Sequence, residues 1–332
     1  MTSIQNDIVL STENLSIGYP EHGTPVLSNL NLSLRKGTLV SFMGPNGIGK
    51  TTLLRTLAGL MNPLDGKIWI RNKEIKNYSL NQLAKIIGVV LTDPIQAGSL
   101  SVTDLVSMGR YPYTNWFLNF SESDIEKVEQ AIYSVQLEGL RNRKINELSD
   151  GQMQKVLIAR ALAQDGEIMI LDEPNSHLDL NNRIEIMRIL KRMCRQTGKT
   201  ILVATHELDL ALQTSDWLWL ATRAGKIIDG IPEDLVLNNA FDEVFDTKGF
   251  DLKTGRVIHE GEQLAEVTLQ GTGFMYLWTK NALERTGIQI AESSEIRITI
   301  NEDLQKWTIQ LPQGTKEVNS ISELIESILS GN

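Results

Sequence analysis

Ser41-Phe42-Met43-Gly44-Pro45-Asn46-Gly47-Ile48-Gly49-Lys50-Thr51-Thr52 is the stretch that decides how this chain folds. Residues 44–51 spell G-x-x-x-x-G-K-T, after an apolar run (Leu39, Val40, Phe42) and before a helical spacing of Leu53, Leu54 and Leu57. A phosphate-binding loop needs that strand–loop–helix context. Its glycines let the backbone wrap closely round a polyphosphate. Gly44, Pro45, Asn46, Gly47, Ile48, Gly49, Lys50, Thr51 and Thr52 are therefore the expected cradle, with backbone N–H groups and a helix N-terminus aimed at the anion. Lys50 is placed to reach the β- and γ-phosphates, and the Thr51 hydroxyl to sit on Mg²⁺.

Composition sets bounds around that loop. The 332 residues suffice for two domains, and 41% apolar with 22% charged content is ordinary for a chain that buries a real core. A net charge of −9 argues against nucleic acid as a main partner. Residues 260–332 hold 11 acidic and 5 basic side chains, so this stretch alone carries −6. One cysteine, Cys194, excludes an intrachain disulfide, and its helical spacing with Met187, Leu190 and Met193 makes it a core residue. Met1 to Thr12 does not read as a signal peptide, and no apolar run reaches membrane-spanning length. The expected place is the cytoplasm or its membrane face.

Ile8-Val9-Leu10, Leu15-Ser16-Ile17 and Leu30 to Leu34 read as antiparallel strands, and Lys67 to Ile70 as another after an Asp65-Gly66 turn. The helix after the loop runs to about Gly59. From Ser101 to Leu148 the spacing is helical: Ser121 or Ser123 caps a helix whose stripe is Ile125, Val128, Ile132 and Val135. Glu167 to Leu171 and Thr200 to Ala204 are short buried strands either side of a helix over Ile184 to Met193. Buried strands alternating with helices mean an α/β fold with a mainly parallel sheet. After Ile258 the pattern changes. Val267/Leu269, Ile296/Ile298/Ile300 and Trp307/Ile309/Leu311 alternate as half-exposed strands. One helix is expected over Met275 to Arg285. A second carries the stripe Ile321, Leu324, Ile325, Ile328 and Leu329, packed on strands 296–300 and 306–311. The division is 1–259 and a small α+β domain over 260–332.

Two further stretches bear chemistry. Ile168-Met169-Ile170-Leu171-Asp172-Glu173-Pro174 is an apolar strand ending in two acids, where Asp172 can hold a Mg²⁺-bound water and Glu173 can act as the base for an attacking water. Leu148-Ser149-Asp150-Gly151-Gln152 opens a helix with Ser149 as a natural N-cap and an anion-compatible start.

Together these residues resemble an ATP-binding cassette ATPase over roughly residues 8–258. Gly44 to Thr51 matches the Walker A loop, Leu148 to Gln152 resembles the LSGGQ signature, and Ile168 to Glu173 matches Walker B. Ser176 to Asp179 resembles the D-loop, and His206 in Ala204-Thr205-His206-Glu207 matches the switch histidine. The resemblance implies a P-loop NTPase cassette of mainly parallel sheet, antiparallel β subdomain and helical subdomain, followed here by the small α+β domain. It implies ATP and Mg²⁺ as cofactors, with Tyr19 stacked on adenine. It also implies a head-to-tail homodimer in which Ser149, Gly151 and Gln152 of one copy meet the γ-phosphate held by the other. Glu173 and His206 are the expected catalytic residues; Thr51, Asp172 and Thr92 are expected near the metal. The chain departs from the family at Asp150, where the signature has Gly, and at Thr92, where the family has Gln.

Val102 to Pro112, Ser79 to Ala84 and Thr205 to Ala211 are similar to ATPases that import iron–siderophore, haem or cobalamin. That implies two polytopic permease subunits, an extracytoplasmic binding protein, and a peripheral position on the cytoplasmic face of the cell membrane. Tyr111, Tyr113, Trp116 and Phe117 form a candidate permease-docking surface. Two rival readings are a soluble cassette ATPase outside transport and a cassette regulated by a ligand of its tail. Nothing in residues 260–332 names such a ligand.

Overall fold

The computed structural model describes residues 7–91, 99–114, 119–245, 250–251, 256–257, 264–302 and 304–330. The chain divides into two compact units, Met1–Asp246 and Thr247–Asn332.

The first unit opens with β1 (Ile8–Ile17), β2 (Leu27–Leu30), β3 (Ser33–Arg35) and β4 (Leu39–Met43), then α1 (Lys50–Leu57), β5 (Asp65–Ile70) and β6 (Lys73–Glu74). Next come α2 (Leu80–Ala84), β7 (Ile87–Val90), α3 (Val102–Ser107), α4 (Glu122–Ser134) and α5 (Asp150–Ala163). It ends with β8 (Ile168–Asp172), α6 (Leu180–Thr197), β9 (Thr200–Ala204), α7 (Leu208–Thr214), β10 (Trp217–Ala221), β11 (Ile227–Gly230), α8 (Pro232–Leu237) and α9 (Ala240–Val244).

The central sheet has the order β11-β10-β4-β9-β8-β7 and is parallel apart from the antiparallel edge strand β11. Every residue of β4, β8 and β9 is buried, as a strand covered on both faces requires. One apolar cluster lies with α5 and α6; the other joins the sheet to α1 and to the antiparallel strands β1, β2 and β5.

The early strands differ from the alternation in three ways. β1 is one continuous strand with register shifts, and Leu30 to Leu34 breaks into β2 and β3. The Asp65-Gly66 pair is not a turn but the start of β5, with Asp65 opposite Ser16. Gly66 sits at φ +81°, and a Cβ there would lie 2.3 Å from the Asn14 carbonyl oxygen. That contact, not a reversal of the chain, explains the glycine.

Helices α3, α4 and α5 pack on one another as a helical layer. Ser121, not Ser123, caps α4. Val128, Ala131, Ile132 and Val135 are buried, but Ile125 is 56% exposed. Asp124 takes the inward position of that first turn. Its carboxylate accepts from Arg110 Nε at 2.8 Å and from the Ser121 hydroxyl at 2.6 Å, and Arg110 Nη1 also donates to the Ala163 carbonyl at 2.8 Å. Hydrogen bonds from Ser121, with help from Arg110, hold the Asp124 carboxyl below its usual range against the pull of burial. A depressed carboxylate pKa stabilises the fold above the unfolded pKa, and the contribution disappears as pH falls through the folded value. Both side chains of the pair are under 10% exposed. Arg110→Ala should therefore cost about 3–5 kcal/mol, because it strands a buried charge. Arg110→Ala/Asp124→Ala should recover part of that loss, as read by urea denaturation. Additive losses would show that the pair is not coupled.

The second unit comprises β12 (Phe250–Asp251), β13 (Arg256–Val257), β14 (Ala265–Gln270), α10 (Gly273–Arg285), β15 (Ile288–Ile290), β16 (Ile296–Asn301), β17 (Lys306–Leu311), β18 (Gly314–Val318) and α11 (Ile321–Leu329). β12 and β13 pair with each other; the other strands form a sheet in the order β15-β14-β16-β17-β18. Its own core gathers Val267, Ile298, Ile309, Leu283, Leu324 and Ile328. The Trp307 indole donates to the Thr279 hydroxyl at 2.7 Å, tying β17 to α10. α11 packs chiefly on β17, β18 and α10, one strand nearer the edge than its stripe suggested. Leu329 is 43% exposed.

Candidate functional site

Strand order alone assembles the site. β4, β9 and β8 are parallel neighbours, with Phe42 opposite Ala204 and Ala204 opposite Asp172. Whatever follows Met43, Ala204 and Asp172 must therefore emerge side by side at the carboxyl edge of the sheet, where open α/β sheets place ligands. Those followers are the loop 44–49, Thr205-His206, and Glu173.

Gly49 stands at the N-terminus of α1 with φ +103°, and a Cβ there would lie 2.5 Å from Val26. No acid occupies the first turn of α1, and no side chain caps it. The backbone N–H groups of that turn thus face the loop, where an anion is favoured. Gly44 and Lys50 are buried, while Asn46 and Gly47 form the exposed rim. Lys50 Nζ donates to the carbonyl oxygens of Gly44 at 3.0 Å and Pro45 at 3.2 Å. Burial lowers the Lys50 pKa, and the charges of Glu173 and Asp172 oppose that shift. Thr52 is buried, and its carbonyl accepts from the Thr56 hydroxyl at 2.7 Å.

Asp172 is 3% exposed, and its Oδ2 has no hydrogen-bond partner. Burial raises its pKa; the Thr51 hydroxyl pulls the other way, and the Glu173 charge adds to the rise. A buried carboxylate oxygen without a partner, beside the Thr51 hydroxyl, suits a hard cation with oxygen ligands. Glu173 adopts φ +46°, a left-handed conformation that is costly for a side chain of this kind. Its N–H donates to the Ala204 carbonyl at 2.9 Å, which anchors the strained residue to β9. One Glu173 carboxylate oxygen lies 3.8 Å from His206 Nδ1. The structure thus brings Glu173, His206, Asp172 and the loop together.

Tyr19 is exposed just beyond the end of β1. Ser149 caps α5 in a reciprocal pair with Gln152: the Ser149 N–H donates to Gln152 Oε1 at 3.1 Å, and the Gln152 N–H donates to Ser149 Oγ at 3.3 Å. Gly151 is buried against Asn182, and a Cβ there would come within 2.7 Å of that side chain. Asp150 is exposed in the first turn of α5, where an acid favours the helix dipole. None of the hydrogen bonds or ion pairs among the described residues joins 149–152 to the loop 44–52. Thr92, Trp116 and Phe117 lie outside the described residues. Tyr111 and Tyr113 are partly exposed: Tyr111 stacks with Phe120, and Tyr113 lies under the Arg110 guanidinium and donates to the Gln164 carbonyl at 3.0 Å.

Three polar residues of this region were not legible as site residues. Thr205 is 2% exposed and accepts from the Glu207 N–H at 3.0 Å. Glu207 and Arg183 form an ion pair of 2.7 Å beside His206. The only signal in the sequence is the adjacency of Thr205 and Glu207 to His206.

Residues 27–176 match the family model for ABC transporters, and residues 264–329 match that for an iron ABC transporter C-terminal domain. The chain is 36% identical over 236 residues to a probable siderophore transport system ATP-binding protein, YusV, of Bacillus subtilis, spanning 71% of this chain and 85% of that one. It is 34% identical to the ferric enterobactin transport ATP-binding protein FepC of Escherichia coli, over 71% and 86% of the two chains. Its fold superposes on the dimeric structure of a bacterial ABC transporter cassette, MJ0796, with TM-score 0.58 and 28% identity, covering 67% of this chain and 98% of that one. The phosphate loop, the acid-ended strand and the shared length of these relatives lead to one assignment: the chain belongs to the ATP-binding proteins of ABC transporters and is an ABC ATPase.

Proposed function

We propose that the chain is the ATP-hydrolysing subunit of a bacterial importer for iron complexes, siderophore or haem, or for cobalamin. Two copies would act on two polytopic permease subunits from the cytoplasmic face of the membrane, with cargo delivered by an extracytoplasmic binding protein. The observation that carries this reading is the pairing of a cassette related to siderophore-transport proteins with a tail matching an iron-transporter domain. No helix among the described residues is long and apolar enough to cross a membrane.

In this reading the loop 44–52 holds the ATP phosphates through backbone N–H groups, and Lys50 leaves its two carbonyl partners to meet the β- and γ-oxygens. Tyr19 stacks on adenine, worth about 1–3 kcal/mol. Glu173 takes the proton of the attacking water, and His206 orients that water and the γ-phosphate. Ser149, Gly151 and Gln152 of the second copy close the site with the start of α5. Thr51 and Asp172, with Thr92, would hold Mg²⁺, which supplies charge neutralisation at the phosphates. The test is uptake of a radiolabelled ferric siderophore, of labelled haem and of labelled cobalamin by cells lacking this chain. Restoration of one uptake by the wild-type chain, and not by Glu173→Gln, supports the reading; no effect on any of the three cargoes overturns it.

We assign residues 260–332 an accessory role, since every nucleotide-facing residue lies upstream and the second unit has its own core. Deleting 262–332 should leave ATP affinity unchanged within about twofold and alter dimer stability or basal turnover. A folded truncation that no longer binds ATP would place the tail inside the catalytic core.

A further inference from the structure

The His206 imidazole stands between two carboxylates. Nδ1 is 3.8 Å from Glu173 Oε2, and Nε2 is 3.4 Å from Glu207 Oε1. Glu207 occupies the N-cap position of α7, where an acid ordinarily folds back onto the helix N–H groups. Here it makes no such bond. Its carboxylate turns instead to Arg183, whose Nη1 donates to Glu207 Oε1 at 2.7 Å. Arg183 is fixed in turn, because its Nε donates to the Leu178 carbonyl at 2.6 Å. The Arg183 backbone is held in the first turn of α6, with its N–H on the Asp179 carbonyl at 3.0 Å. The other end is held too: the Glu207 N–H is on the buried Thr205 hydroxyl, and the Thr205 N–H donates to the Phe42 carbonyl at 3.0 Å.

From this geometry we infer that Arg183 is a positioning residue for hydrolysis, acting on His206 through Glu207. The inference rests on the reading that His206 takes part in the reaction. The guanidinium holds the Glu207 carboxylate off the helix end, so that one carboxylate oxygen serves Arg183 and faces His206 Nε2 together. A carboxylate fixed 3.4 Å from Nε2 limits how far the ring can turn. The ring is then held with its Nδ1 edge toward Glu173. Arg183 also binds Leu178, so the segment Ser176–Asp179 and the histidine are mechanically joined through one side chain.

The test is a double-mutant cycle on purified full-length protein, with kcat and KM for ATP measured separately. Arg183→Ala is expected to lower kcat by about tenfold with KM unchanged within about twofold, since it misplaces a group and removes no ATP contact. In a His206→Ala background the same change should alter kcat by less than about twofold. Arg183→Lys should recover most of kcat, because an ammonium still pairs with Glu207, and Glu207→Ala should reproduce the Arg183→Ala defect. If Arg183→Ala is unfolded by circular dichroism, Glu207→Ala in the two backgrounds carries the same test. An equal loss in both backgrounds, or a rise in KM at constant kcat, overturns the inference. Wild-type kcat in His206→Ala contradicts the reading on which it rests; a strong His206→Ala defect beside wild-type kcat in Arg183→Ala contradicts only the positioning role.

Discussion

Glu173→Gln is expected to hydrolyse ATP roughly two to four orders of magnitude more slowly than the wild type while still binding it. The amide has nearly the volume of the carboxylate but cannot take the proton of the attacking water. The left-handed backbone at Glu173 and its bond to Ala204 do not depend on that proton, so the site should keep its shape. Removing a negative charge beside Lys50 and Asp172 should, if anything, favour a bound polyphosphate. ATP then persists, and light scattering should show the closed dimer accumulating with ATP. Turnover within tenfold of wild type would show that another group is the base.

Lys50→Ala is expected to abolish both binding and hydrolysis. The ammonium is buried and held on two loop carbonyls, and burial lowers its pKa. Nothing else in the loop 44–52 carries a positive charge. In the variant the phosphates would enter a site that keeps the charges of Asp172 and Glu173 without that ammonium. Thermal melts give the readout. ATP at 100 times its dissociation constant stabilises a folded protein by about 2.7 kcal/mol, so the wild type should melt higher with ATP and the variant should not shift. An equal shift in both would remove Lys50 from the binding site.

The residues that reveal this protein in its sequence are those whose chemistry demands a fixed local order. Gly44 to Thr51 must be contiguous to wrap one anion, and Asp172-Glu173 must end a buried strand. Both are visible without tertiary knowledge. The buried strands β4, β8 and β9 were legible for the same reason, since a short, largely apolar run has few alternatives. What escaped depends on contacts distant in sequence. Gly66 looks like a turn until the Asn14 carbonyl is placed against it. Ile125 looks like core until Asp124 is seen turning inward to Arg110. The short strands β15 and β18 pair at sheet edges and show almost no alternation of their own. Arg183 was invisible because its significance lies in a carboxylate 24 positions away, presented by a different helix.

The central claim is that the nucleotide site is shared between two copies, with the loop of one facing the start of α5 in the other. Cys194 is 2% exposed and its thiol pKa is pushed up to about 12 by burial, so introduced cysteines can be read without interference from it. Asn46 and Ser149 are both exposed. The most direct measurement is oxidative cross-linking of Asn46→Cys/Ser149→Cys in the Glu173→Gln chain, with and without ATP. Two copies closed head to tail predict a cross-linked dimer of twice 37.1 kDa that forms with ATP and is absent without it. Cross-linking indifferent to ATP, or none under saturating ATP in a protein shown to bind it, would contradict the shared site.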